Sequence, residues 1–397
     1  MFIAFVLAIL LGSLFGSSIN FLQPLGDLFL RLIKFIIAPL ILSTLVVGVA
    51  SSSDPQQLGR MGMKTVAYYL ATTAIAIVIG LVVAFAISPG KGLDISADGL
   101  AVPEIATAEQ QSTITTILNI IPENPFNALA SGNILQIIFF ALFIGLAITF
   151  VGEKAQPVYK FFEGFSEVMF KITGIVMKVA PIGILGLLAP IVGQYGLSVL
   201  LPLLKVILAV YIACIIHAVV VYSSAVKVFG KMNPLKFFKG ISPAALVAYS
   251  TASSAGTLPV TIKNTNENLG VPNKVTSFVL PLGATVNMDG TAIYQGVAVV
   301  FIAQFFNLNL SLMQLLTVVL VTVLASIGTA GVPGAGLIML TMVLTSVNMP
   351  LEGIALIAGI DRILDMMRTS VNVVGDASAA VVVAGTERKR EKRVLKS

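Results

Sequence analysis

Residues 249–260 read YSTASSAGTLPV. Small residues fill this run, Pro259 interrupts it, and apolar sequence of helical character flanks it on both sides. Whether the run is a kink in a membrane span or the tip of a hairpin that turns back decides the fold. Taken alone, a packing face of small residues or an ordinary proline kink explains it as well as a hairpin does. Residues 324–336, LASIGTAGVPGAG, repeat the pattern around Pro333. Non-helical backbone at membrane depth is tolerated only where protein buries it or where it lines a cavity, and paired interruptions point to a transport site. The two segments, about 236–264 and 311–348, are therefore read as re-entrant helical hairpins whose tips offer free backbone N–H groups to an anion. Ser253, Ser254 and Gly256 line one tip, and Ser326, Gly328, Thr329, Val332 and Gly336 the other.

The sequence around these segments calls for a bilayer. The 397 residues are 57% hydrophobic and 11% charged, with a mean hydropathy of +1.00, where soluble domains have roughly 45–50% and 25%. That excludes a water-soluble enzyme and a disordered chain, and Cys214, the one cysteine, excludes an intrachain disulfide. Apolar stretches near 2–22, 27–50, 65–88, 132–151, 160–191, 198–226, 274–306 and 352–384 are each long enough to span. The first lacks a basic leader and a small-residue cleavage site, which disfavours a signal peptide. The fold class is thus an all-α multi-pass membrane protein with eight transmembrane helices plus two re-entrant hairpins.

Cytoplasmic loops carry the excess of Lys and Arg. Arg60 and Lys64, then Lys227, Lys231, Lys236 and Lys239, then the tail TERKREKRVLKS (386–397) mark the inside. The loop bearing Asp94, Asp98, Glu104, Glu109 and Glu123 with only Lys91 marks the outside. Both termini are expected in the cytoplasm, with the chain in the cell (inner or plasma) membrane. The tail alone holds six basic and two acidic residues, most of the formal +6, so the positive charge reports orientation and contact with anionic lipid rather than nucleic-acid binding.

The polar residues inside the apolar stretches carry the chemistry. Span seven contains NMDGT, Asn287 to Thr291, where an aspartate beside a glycine is costly and weakens the helix. Asp289 is either a hydrogen-bonded packing residue or part of a local unwinding that offers oxygens of Gly283, Thr285, Asn287 and Asp289 to a hard cation. In the last span, GIDRILDMMRTSVNVVGD (359–376), Asp361, Asp365, Arg368, Asn372 and Asp376 follow at spacings of 4, 3, 4 and 4. At about 100° per residue they fall within a stripe of roughly 80°, with Thr369 at its edge. Three carboxylates and one guanidinium make a poor ion-pair ladder, because the stripe stays negative until a cation joins it. A bound cation or a substrate ammonium completes it, and Arg368 suits a substrate carboxylate in bidentate geometry. His217 reads as a hydrogen-bonded interior histidine, with a proton relay as the alternative.

SSAGTLPV (253–260), PLGATVNMDGT (281–291), SIGTAGVPGAG (326–336) and DMMRTSVNVVGD (365–376), in that order, resemble the dicarboxylate/amino acid:cation symporter family of glutamate transporter homologues. The resemblance implies a homotrimer. A static trimerisation scaffold, about 1–60 and 125–195, would hold a transport part, about 61–90 and 196–385, that moves substrate as an elevator. It implies that Arg368 binds the substrate's side-chain carboxylate and Asp365 its α-ammonium. Thr369, Asn372, Thr291 and backbone at Ser254, Val332 and Gly336 would complete the shell. It also implies sodium sites. Asp376 would form one with carbonyls of Gly283, Asn287 and Asn372, and Thr285 another with backbone of Ser326, Ile327 and Thr329. Asp289 and Asn287 would form a third with Tyr69, Thr72 and Thr73 of YYLATT (68–73). No organic cofactor is implied.

Departures from the family pattern matter too. Gln295 stands where mammalian members have a glutamate linked to proton and potassium coupling, which disfavours those couplings here. Ala252 replaces an arginine of archaeal relatives, and Met366 one of mammalian members. Arg362, one turn before Met366, is expected to supply the missing guanidinium beside Asp365, with Asp361 as support. The expected function is a secondary active symporter, not an enzyme, importing L-aspartate or L-glutamate with sodium. Proton coupling and a C4-dicarboxylate substrate are alternatives, and an ion channel lined by the same stripe is the reading from another class.

Overall fold

The computed structural model describes residues 2–50, 58–91, 118, 120–327 and 334–394, so Gly328, Thr329 and Val332 lie outside the described residues. Among the described residues every regular element is helical. Helix α1 (Phe2–Phe15) passes through a 3-10 turn (Gly16–Leu22) into α2 (Gln23–Ala50). Next come α3 (Leu58–Ile87), α4 (Pro125–Ser131), α5 (Ile134–Val151) and the long α6 (Gln156–Tyr195). Helix α7 (Leu200–Ile216) widens into a π turn at His217–Tyr222 and ends as α8 (Ser223–Val228). The remaining helices are α9 (Pro234–Thr251), α10 (Ser254–Glu267), α11 (Asn273–Val286), α12 (Asp289–Phe305), α13 (Leu312–Ser326), α14 (Ala335–Ser346) and α15 (Gly353–Val394). Each apolar stretch read from the sequence coincides with one of these helices or helix pairs.

The first interrupted segment folds as a helical hairpin, and the two described helices of the second pack against each other. Asn233 caps α9, with Pro234 at its first position, and Ala252 ends it in the left-handed region at φ 53°. Ser253 is extended, and its Oγ accepts from the Gly256 amide at 3.0 Å to start α10. The chain thus reverses in two residues, and α9 packs on α10. In the second segment, Ser311 and Gln314 form a reciprocal cap on α13. Gly334 at φ 84° opens α14, which packs back on α13.

Helices α11 and α12 lie along one stretch, broken at Asn287 and Met288, whose ψ angles of 103° and 41° leave the helical region. The break falls in the NMDG motif. The hydropathic window of this stretch is wholly enclosed and that of α15 is 83% buried, against 28% for the stretch starting with α5 and 33% for the one starting with α7. The helices carrying the polar motifs therefore form the centre of the molecule. Leu201, Leu204, Leu208, Ile212, Ile215 and Val219 point outward from α7 and its π turn as an apolar face suited to lipid. Helices α1 and α2 pack along α6, while α9, α11 and α12 gather on α15 and α3 lies against α12.

The last helix runs ten residues past the expected end of its span at 384, to Val394. No Gly or Pro follows Gly385 to stop it, and Glu, Lys and Arg are good helix formers. Lys64 pairs with Glu387 at 2.7 Å and ties this extension to α3.

Candidate functional site

The α15 stripe turns inward as a unit, and Asp361, Asp365, Arg368, Thr369, Asn372 and Asp376 are all buried. A buried charge at this depth is stable only with partners. Arg368 Nη2 lies 3.0 Å from Asp361 Oδ1 and 3.0 Å from Asp365 Oδ1. Its guanidinium carbon sits 4.1 Å above the ring of Tyr294 on α12, a cation–π contact. Yet Nε and Nη1 have no hydrogen-bond partner, and neither do the nearby Tyr294 hydroxyl and Gln295 Oε1. The opening of α14 closes over this group. Gly334 donates its amide to Asp365 Oδ2 at 3.1 Å, and the Gly336 carbonyl accepts from Gln295 Nε2 at 3.0 Å. A Cβ on Gly336 would collide with Arg368 Nη1 and come 2.7 Å from Cζ, so only glycine admits this approach. Fixed, desolvated and partly unpaired donors of this kind suit a carboxylate.

One turn further along α15, oxygens converge on the broken helix. Asn287 Nδ2 donates to Asp376 Oδ1 at 2.8 Å and to the Asn372 carbonyl at 2.9 Å, which leaves Asn287 Oδ1 buried without a donor. Asn372 Oδ1 accepts from the Gly290 amide at 2.8 Å. A Cβ at Gly283 would meet both Asp376 Oδ1 and the Tyr69 hydroxyl, so these oxygens crowd one spot on α11. An orphan amide oxygen beside a carboxylate and backbone carbonyls is a donor set that fits a hard cation. Thr291 and Asn372 also approach Met288 Sδ, at 3.8 and 3.5 Å.

Asp289 lies in a second, fully buried cluster. Thr73 Oγ1 donates to its Oδ1 at 2.6 Å, the Tyr222 hydroxyl donates to Oδ2 at 2.8 Å, and His217 Nε2 lies 3.2 Å from Oδ2. The π turn of α7 aims His217 and Tyr222 at the same carboxylate, and His217 Nδ1 keeps no partner. Tyr69 donates to the Val279 carbonyl at 3.1 Å, and Thr72 bonds back to Tyr69 of its own helix.

Some expected residues stand apart. Thr285 is exposed and its hydroxyl bonds the Leu282 carbonyl, while Ser326 Oγ bonds Val323; no described hydrogen bond joins Thr285 to Ser326 or Ile327. Ser254 is buried at the first turn of α10. Thr329 and Val332 lie outside the described residues. Arg362 differs from its expectation as a guanidinium for Asp365. Its Nη2 donates to the Ser250 carbonyl of α9 at 3.2 Å, because position 362 lies about 100° around the helix from Asp361, outside the stripe, and is exposed. Tyr294 and Tyr222 were absent from the expected set. On a helix buried all round, α12 has no face to single out Tyr294, and the π turn, too rare a geometry to expect from sequence, is what brings Tyr222 into register with His217.

The profile of the sodium:dicarboxylate symporter family matches residues 1–386. The chain is 41% identical to the proton/sodium-glutamate symport protein of Geobacillus stearothermophilus over 396 residues, covering 97% of this chain and 93% of that protein. It is 39% identical to the proton/glutamate-aspartate symporter of Escherichia coli (strain K12), covering 98% and 92%. It is also 38% identical to the C4-dicarboxylate transport protein of Paraburkholderia phymatum, covering 100% and 93%. With whole-length agreement in sequence and a helical membrane architecture, the chain belongs to the sodium:dicarboxylate symporter family and is a transporter, not an enzyme.

Proposed function

We propose that the protein is a secondary active symporter that imports an acidic amino acid, aspartate or glutamate, with sodium. The observation that carries this reading is the buried guanidinium of Arg368, with Nε and Nη1 unpartnered and the Asp365 carboxylate beside it. A carboxylate fills the first need and an ammonium the second. A neutral amino acid would leave Arg368 short of an acceptor, and a C4-dicarboxylate would bring Asp365 no cation. Thr291, Thr369, Asn372 and backbone at Ser254, Val332 and Gly336 are assigned to the polar shell.

Sodium is assigned to the oxygen cluster of Gly283, Asn287, Asn372 and Asp376, a choice supported by the orphan Asn287 Oδ1. Two further sodium sites are assigned, one to Thr285 with Ser326, Ile327 and Thr329, and one to Asp289 and Asn287 with Tyr69, Thr72 and Thr73. At Asp376 and Asp289 the ions would supply positive charge to carboxylates that are otherwise buried without a sodium partner.

The architecture proposed is eight spans and two re-entrant hairpins, with both termini in the cytoplasm. Length supports the count: of six long apolar stretches, Ile3–Ala50 has 48 residues and Ile134–Val176 has 43, about 72 and 64 Å if straight, each more than twice the roughly 30 Å hydrocarbon core and so room for two spans. Packing supports a division into a trimeric scaffold and a moving transport part, since α1 and α2 lie on α6 while α9, α11 and α12 lie on α15.

Uptake of labelled substrates into proteoliposomes tests the reading. An inward sodium gradient is expected to concentrate L-aspartate or L-glutamate, and to leave succinate and L-alanine outside. Concentrative uptake driven by a proton gradient without sodium would overturn the sodium assignment, and preference for succinate would overturn the amino acid.

A further inference from the structure

Arg368 makes one contact that a substrate reading does not require. Asp361 lies as near its Nη2 as Asp365 does, and both carboxylates are buried with it. On the guanidinium, Asp361 therefore holds the kind of position that an incoming carboxylate needs. The charges give this a consequence. Asp361, Asp365 and Arg368 sum to one negative charge, and an acidic amino acid, with two carboxylates and one ammonium, adds another. Sodium at Asp376 and Asp289 would answer those carboxylates, and the third sodium, assigned beside Thr285, would answer one of these two charges and leave one in place. A surplus buried charge is removed by protonation more readily than it is carried.

The groups facing Asp361 narrow where that proton goes. On α15 they are Arg362, Asp365 and Arg368, and on α12 Tyr294. From α7, Cys214 lies toward Arg368 and Tyr211 bonds the Ile363 carbonyl and Tyr249 of α9. Helix α1 brings Phe5 against Gly359, and α14 has no titratable side chain. Arg362 is exposed and bonded to Ser250, so water answers its charge. Gln295 has no proton to exchange. Asp365 is held by the Gly334 amide and Thr369, and the proposed ammonium needs it charged. Asp361 is the carboxylate whose charge becomes surplus when a substrate carboxylate shares its guanidinium.

We propose that Asp361 is the proton-binding residue of the transport cycle, a deepening that rests on the acidic-substrate reading. In the empty pocket it is the counter-ion of Arg368. As the substrate carboxylate joins the guanidinium at Nε and Nη1 and brings its charge beside Asp361, the Asp361 carboxylate accepts one proton from the outer solution, and it gives that proton up on the inner side when substrate leaves. Transport then requires sodium and a proton together.

Calorimetric titration of the purified full-length protein with L-aspartate or L-glutamate in sodium, in buffers of different ionisation heat, counts the protons taken up on binding. Wild type is expected to take up about one per substrate, and its affinity to weaken about tenfold per pH unit above the midpoint. Asp361→Asn is expected to bind with no proton uptake and with affinity independent of pH. Asp361→Glu keeps a carboxylate and is expected to keep the proton while moving the midpoint. Wild-type binding without proton uptake, undiminished uptake in Asp361→Asn, or an unmoved midpoint in Asp361→Glu would each overturn the assignment and leave the substrate reading intact. Absence of any acidic amino acid binding by wild type would instead remove the substrate reading, and this proposal with it.

Discussion

At the scale of single residues, the arrangement around Arg368 separates what helical periodicity reveals from what it hides. The inward stripe on α15 was legible because 4, 3, 4 and 4 residue spacings put charges on one face of a helix that had no other reason to carry them. Tyr294 was not, since every position of α12 but Gln304 is buried. Truncating Arg368 to Ala removes a charged, desolvated donor and leaves Asp361 and Asp365 facing each other. The expected loss of acidic-substrate affinity is about 2–5 kcal/mol, read by calorimetry; unchanged affinity would remove Arg368 from the substrate's path. Gly336→Ala tests the same group from the other side. Its methyl must displace the guanidinium from its ion pairs, so affinity is expected to fall about tenfold or more and the thermal midpoint to fall with it. The Asp289 cluster gives a stability counterpart. Tyr222→Phe deletes one donor to a buried carboxylate and is expected to cost about 1.5–3 kcal/mol, measured by unfolding in detergent.

At the scale of elements, the interruptions of both segments and the NMDG break could be read from the sequence because Gly, Pro and Ser interrupt apolar helix in only a few ways. Their exact turns could not. Ala252 carries the reversal between α9 and α10 at φ 53°, a conformation that glycine normally supplies. A left-handed alanine costs roughly 1–2 kcal/mol, and its buried methyl returns about 0.8 kcal/mol. Ala252→Gly is therefore expected to be neutral or slightly stabilising. Ala252→Val adds a β-branch that the left-handed region excludes, and is expected to lower the thermal midpoint by several degrees. Equal behaviour of the two variants would mean that the tip relaxes to another turn. The α15 extension beyond 384 escaped the hydropathy reading for a simpler reason: charged helix formers end a span without ending a helix.

For the whole molecule, the sequence yields a two-part division only through family resemblance, whereas the packing shows which helices meet. The first helix meets the last where Phe5 rests on Gly359, four residues ahead of Ile363 and two ahead of Asp361. If α1 belongs to a static scaffold and α15 to a moving part, this contact has to break during each cycle. A Cβ on Gly359 would lie 3.0 Å from Phe5 Cγ, which brings it within about 4.5 Å of the Phe5 Cβ one bond away, inside the reach of a disulfide once the ring is gone, since bridged Cβ atoms sit roughly 3.5–4.5 Å apart. Cys214, the natural cysteine, is buried and free, so Cys214→Ala gives a clean background. In that background, Phe5→Cys with Gly359→Cys is expected to cross-link on mild oxidation. The oxidised protein should still bind L-aspartate or L-glutamate from one side of the membrane but fail to deliver it to the other, and reductant should restore delivery. Full transport by the oxidised protein would mean that α1 and α15 travel together, and the boundary of the moving part would then have to lie elsewhere, with α1 inside it.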